Sequence, residues 1–156
     1  MKNVVKELKN LENMWRDKLK LEAVEALKSG DKKRVEVLRF LVSLIDKREF
    51  QLPLNGLTEA EEINVMRKEL KNKEEAREMF LKAGREDLVK EQDYEIEIVK
   101  AYLPKELDES ELRKMVDEVV VEKGRNFGAV MGETMKRVAG KASGDLVSKV
   151  VKEALS

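Results

Sequence analysis

The stretch Leu27-Lys28-Ser29-Gly30-Asp31-Lys32-Lys33-Arg34-Val35-Glu36-Val37-Leu38 decides the fold class, because it closes one helix and opens another within a few residues. Upstream of it, Leu8, Leu11, Trp15, Leu19, Ala23 and Leu27 recur at three- and four-residue steps, the period of one helix face. Ser29-Gly30 ends that helix, since glycine accepts the left-handed backbone of a helix C-terminus. Asp31 then caps the next helix through its carboxylate, and Val35, Leu38, Leu41, Val42 and Ile45 give that helix a wide apolar face to about Phe50. Arg34 and Arg39 flank this face, and Arg39, one turn on from Val35, is expected to pair with a carboxylate of a facing helix. Trp15, Tyr94 and Tyr102 are scattered among the other positions, as core anchors are.

The same signals repeat downstream. Gln51-Leu52-Pro53-Leu54-Asn55-Gly56 reads as a loop, and Thr58 with Glu61 predicts a capping box opening a long charged helix to about Ala83. Its apolar stripe (Ile63, Met66, Leu70, Met79, Phe80) is thin and broken by Lys73 to Glu75, which predicts a helix only partly covered by neighbours. Gly84 ends it, and a fourth helix is expected over Asp87 to Tyr102 with Leu88, Ile96 and Val99 in the core. Pro104 cannot continue a helix and sets a boundary between domains 1–103 and 104–156. Beyond it, Asp108 and Glu111 form a second capping box before Leu112, Met115, Val116 and Val119, and Gly124 stops that helix. Two short helices follow, about Phe127 to Val138 and Asp145 to Leu155. The β-prone run Val119-Val120-Val121 falls inside a capped helix. The fold class is all-α: an N-terminal antiparallel helical bundle, then a small three-helix domain.

Composition narrows the chemistry. The 156 residues carry 32 Lys plus Arg and 32 Asp plus Glu, so no net field draws the whole chain to a polyanion. Cysteine and histidine are absent, which removes disulfides, thiolate or imidazole metal sites and His-based nucleophilic catalysis. Charged residues make up 41% against roughly 25% in average proteins, a charged helical surface that also suits a thermophilic source. No apolar run reads as a secretory signal or a membrane span, so a cytoplasmic protein with no membrane partner is expected. The carboxylate groups Glu61/Glu62, Glu74/Glu75/Glu78 and Asp93/Glu97 alternate with lysine and arginine, the pattern of solvated ion-paired faces rather than of a metal site. No metal, cofactor or catalytic residue is assigned.

One constellation stands out. Between Lys123 and Lys152 lie seven positive residues against only Glu133 and Asp145, a local charge of +5. Glycines at 124, 128, 132, 140 and 144 accompany them. Exposed helix N-termini flanked by glycine suit phosphate, and missing side chains let a nucleic-acid backbone come close. The same glycines serve equally as helix caps, with the charges as a soluble rim. The Walker spacing Gly-x-x-x-x-Gly-Lys-Ser/Thr does not occur.

Five stretches resemble the YqeY family (GatB/YqeY domain proteins): Gly30 to Leu41, Lys82 to Val89, Glu95 to Pro104, Met131-Gly132-Glu133-Thr134-Met135-Lys136, and Gly140-Lys141-Ala142-Ser143-Gly144 followed by Val147 and Val150-Val151. The resemblance runs from about Met14 to the end. It implies an all-helical two-part protein whose second part is similar to the tail of the GatB subunit of glutamine-dependent aminoacyl-tRNA amidotransferase, a tail implicated in holding tRNA. The contact surface it implies comprises Gly128, Met131, Gly132, Lys136, Gly140, Lys141 and Gly144, with Arg137 and Lys149 beside them. Lys123 and Arg125 extend the RNA-binding set, and Asp145 departs from the expected basic or neutral character. The function expected is a non-catalytic tRNA-associated accessory protein. The alternative is an adaptor of the translation machinery that docks a protein on the helix over 59–83 through Met66, Met79 and Phe80. Amidotransferase activity, a carbon–nitrogen ligase with glutamine as amido donor, is the third reading and follows from family association alone.

Overall fold

A computed structural model describes residues 15–156, which form seven α-helices and, among the described residues, no strand. Leu8 and Leu11 lie outside the described residues. The chain divides into two compact units, the first ending at Leu103 and the second spanning Pro104–Ser156.

The first unit contains α1 (Trp15–Ser29), α2 (Lys32–Gln51), α3 (Glu59–Lys82) and α4 (Glu86–Tyr102). The α1–α2 joint forms as the sequence dictates: Gly30 takes φ +80°, and the Asp31 carboxylate accepts the Arg34 N–H at 3.1 Å. The Tyr94 hydroxyl donates to that same carboxylate, tying α4 to the start of α2. α1 packs on α2 and α3 on α4, around Leu19, Leu38, Leu41, Ile45, Met66 and Val99, all fully buried. Full burial of each such side chain contributes roughly 1.5–3 kcal/mol.

Several expectations shift by one helical step. Leu27 is half exposed and Ala26 is buried in its place, because Leu19, Ala23 and Ala26 make the four-then-three stripe that faces α2. Leu88 is only partly buried, and Val89 takes the core position at the start of α4. The pairing expected of Arg39 falls to Arg34: its guanidinium donates to the Tyr102 hydroxyl at 2.7 Å and lies 3.6 Å from Glu22, to which Tyr102 itself donates. Arg39 is exposed instead, one residue round the helix from buried Leu38.

The predicted Thr58–Glu61 box forms by half. Thr58 accepts the Glu61 N–H, but the Glu61 carboxylate binds Arg48 of α2 at 2.9 Å. Its neighbour Glu62 points inward, fully buried, and accepts the backbone N–H groups of Trp15 and Arg16, each at 3.0 Å. A carboxylate from α3 thereby satisfies the open N-terminus of α1, where negative charge is also favoured by the helix dipole. Burial, the largest influence, holds the Glu62 carboxyl above its usual range, opposed by the two N–H donors. The pairing of Glu61 with Glu62 as one carboxylate group does not survive, since one sits on a surface arginine and the other in the core.

The second unit contains α5 (Glu109–Lys123), α6 (Phe127–Val138) and α7 (Gly144–Leu155), each in contact with the other two. Both halves of the Asp108–Glu111 capping box are present, at 2.8 and 3.1 Å. Gly124 ends α5 at φ +83°. The Asn126 side chain caps α6 and the Ser143 hydroxyl caps α7. The core is valine-rich: Val116, Val119, Val130, Val138, Val147 and Val151 are all fully buried around Leu112. Branched side chains are mediocre helix formers, and here tertiary packing overrides that cost. Thr134 sits in the same layer, fully buried, with its hydroxyl lacking a hydrogen-bond partner. Thr134→Val keeps the shape and removes the buried hydroxyl, so we expect about 1 kcal/mol of added stability. An unchanged or lowered urea midpoint would count against this account.

Candidate nucleic-acid interface

The register of α6 sorts its residues into two opposed rows. Val130, Thr134 and Val138 are buried at four-residue steps. Gly128, Gly132 and Lys136 each lie two residues before one of these. Two residues turn a helix by roughly 200°, which puts this row opposite the core, and all three are exposed. A Cβ on Gly132 would meet nothing within 4 Å, and one on Gly128 would only touch its own cap, Asn126 Oδ1, at 3.4 Å. Neither glycine takes a positive φ. Alanine would stabilise the mid-helix site of Gly132 by about 1 kcal/mol and that of Gly128, the second residue of α6, by less, so packing within the fold does not account for either glycine.

The cations divide into two groups. Lys123, Lys136, Lys141 and Lys152 are exposed and form no ion pair among the described residues. Lys123 stands at the corner before α6, and Lys141 follows its C-terminal turn, where the Lys141 carbonyl accepts the Leu107 N–H at 2.8 Å. The other three predicted contact cations are engaged. Arg137 bonds Glu122 of α5 and Glu133 of its own helix. Lys149 lies 3.6 Å from Glu109, and Arg125 donates to the Leu155 carbonyl at the end of α7, where a cation suits the helix dipole. Arg113, and after it Lys149, hold the Glu109 carboxyl below its usual range.

This corrects the electrostatic reading of the 123–152 window. The window is basic, but the second unit as a whole carries ten Lys or Arg and ten Asp or Glu, because α5 supplies the balancing acids. Two glycines also need reassignment. Gly140 is buried at φ +80°, just after Ala139 at φ +47°, and serves the turn between α6 and α7 rather than an exposed contact. Gly144 is exposed but begins α7, and Met131 is partly buried beside the core. Asp145, the departure from expectation, occupies the first turn of α7, where an acidic side chain is favoured.

Elsewhere three of the five other carboxylates singled out in the sequence go to cations. Asp93 pairs with Arg77, Glu74 with Lys100, and Glu78 with Lys82. No group of three or more acidic side chains among the described residues could hold a metal ion. Met66, expected on a docking surface, is fully buried in the first unit, and Phe80 is partly covered; only Met79 of that trio is well exposed.

The described chain is thus an all-helical protein of two units, the second displaying a glycine–lysine row outside its core. Sequence comparison gives the family: the profile of Yqey-like proteins matches residues 16–155, and the chain belongs to the YqeY family. It is also similar to "altered inheritance of mitochondria protein 41, mitochondrial" of Pyrenophora tritici-repentis (strain Pt-1C-BFP). The two are 27% identical over 150 residues, covering 91% of this chain and 81% of that protein. No described helix is long and apolar enough to cross a membrane.

Proposed function

We propose that the protein is a non-catalytic, tRNA-associated accessory protein that holds the RNA backbone against the outer face of α6. The observation that carries this reading is the pair Gly128 and Gly132, which cost helix stability, fill no packing need and stand in line with an unpaired lysine. A side-chain-free strip lets a sugar–phosphate backbone approach the helix closely, while Lys123, Lys136, Lys141 and Lys152 neutralise phosphates around it. Contacts of this kind read shape and charge, so binding discriminates weakly among sequences. The resemblance to the GatB tail supplies the choice of tRNA as the RNA.

Gly132→Ala separates this reading from a purely structural one. We expect the variant to unfold at about 1 kcal/mol higher free energy and yet to bind bulk tRNA about fivefold more weakly in anisotropy titrations. A variant that is more stable and binds tRNA as well as the parent removes the close-approach role of the strip.

A further inference from the structure

The first unit carries a second surface with different chemistry. Between α2 and α3 lies a groove of about 510 Å³, within the usual range of ligand sites. Its apolar part is Leu44 and Val65, both partly buried. On the α3 side, Asn64, Lys68 and Asn72 follow one another at four-residue steps, all exposed. On the α2 side stand Lys47 and Gln51, one turn apart. The other charges in the groove are already compensated: Arg48 binds Glu61, and Glu69 pairs with Lys73 at 3.5 Å. Lys47 and Lys68 make no ion pair among the described residues.

We propose that this groove docks an extended, acidic segment of a partner protein. Three features of the groove select that occupant. Lys47 and Lys68 call for one carboxylate each, and the groove as a whole (Lys47, Arg48 and Lys68 against Glu61 and Glu69) carries a single net positive charge, too little for the dense charge of a polyphosphate chain. The side-chain amides of Gln51, Asn64 and Asn72 can each donate and accept, which matches the N–H and C=O groups of a peptide main chain. The spacing also fits: a four-residue step along α3 advances about 6 Å, close to the roughly 6.7 Å of two residues in an extended strand. Asn64, Lys68 and Asn72 would then meet successive dipeptides, with every second side chain directed at Leu44 and Val65 and the others at the lysines. Where the groove ends at Gln51, Phe50 and Leu54 are 93% and 94% exposed. Leu54 sits in a tight turn, closed by the Gly56 N–H on the Pro53 carbonyl at 2.8 Å with Asn55 at φ +60°. A Cβ on Gly56 would lie 2.8 Å from that carbonyl oxygen, so the turn admits only glycine there.

The test titrates the isotope-labelled full chain with a short synthetic peptide of alternating Glu and Leu, and follows backbone amide shifts. Shifts confined to 44–51 and 64–72 are expected, with affinity falling about tenfold or more in the Lys47→Glu, Lys68→Glu double variant. Both positions are exposed, and circular dichroism checks that the variant remains helical. The proposal is overturned if the peptide shifts no residue of the groove, or if an alternating Lys and Leu peptide binds as well. It is equally overturned if oligouridylate shifts these residues while the acidic peptide does not. None of these outcomes involves Gly132 or Lys136, so docking here and RNA binding by the second unit stand or fall separately.

Discussion

Glu62→Ala should lower the unfolding free energy by about 3 kcal/mol, among the larger effects available to a single substitution in this protein. The variant removes the acceptor shared by the Trp15 and Arg16 N–H groups and leaves a void beside Met66 and Ile63 on the same buried stripe of α3. Both donors are part-buried, so each costs toward the lower end of roughly 1–3 kcal/mol when left without a partner, and the lost carboxylate returns part of that by ending its own desolvation. Glu62→Gln keeps one acceptor oxygen and should cost only about 1 kcal/mol at neutral pH. The two variants also give a pH signature. Burial raises the carboxyl of Glu62 in the folded chain, so the folded state holds that proton more tightly than the unfolded state. Stability from this group is therefore lost as pH rises from the unfolded value through the folded one, and regained on acidification. Relative to Glu62→Gln, which does not titrate, the parent protein should gain stability between neutral pH and about pH 5. Denaturant midpoints at the two pH values measure it, and a constant gap would show that Glu62 titrates normally.

Reversing three cations together, Lys123→Glu with Lys136→Glu and Lys141→Glu, should weaken tRNA binding about 100-fold or more at about 0.1 M salt. For the parent protein, four phosphate-neutralising lysines predict a log–log salt slope of about −3 to −4, and the triple variant should flatten it by about three units. The fold should persist, because these side chains are exposed and form no ion pair among the described residues, although acids in the last turns of α5 and α6 oppose the helix dipole at a cost of about 0.3–1 kcal/mol each, which denaturant midpoints measure. Arg137→Gln is the internal comparison. Its guanidinium already serves Glu122 and Glu133, so its loss should alter binding less than twofold, a small change on this scale. If Arg137→Gln proves as damaging as the triple reversal, the cations that meet RNA have been misassigned.

Local rules carried the helices far. Gly30, Asp31, Gly84, Asp108, Glu111 and Gly124 set boundaries through backbone conformation and capping, which depend on a few neighbouring residues and so are legible in one dimension. Readings that needed a partner from elsewhere in the chain were less secure. Glu62 is one charge in a highly charged helix, and its role appears only when α1 arrives across 46 and 47 positions. Glu61 abandons its cap because Arg48 lies opposite. Ala26 displaces Leu27 by a rotation that hydrophobicity alone does not specify. The candidate RNA surface was similarly half legible: Gly128, Gly132 and Lys136 share a row by spacing, whereas the pairing of Arg137, Lys149 and Arg125 depends on α5 and the end of α7.

The bond from the Leu107 N–H to the Lys141 carbonyl joins the lead-in of α5 to the turn after α6, positions far apart in the chain. Neither partner belongs to a helical ladder, so this bond opens by the parting of two loops rather than by the loss of one helical turn. Deuterium uptake at the Leu107 amide is expected to match that of the buried helix amides where the three-helix unit opens as one, and to exceed it where the two loops part locally. One slow amide in an otherwise irregular segment thereby becomes a gauge of that unit's own folding cooperativity.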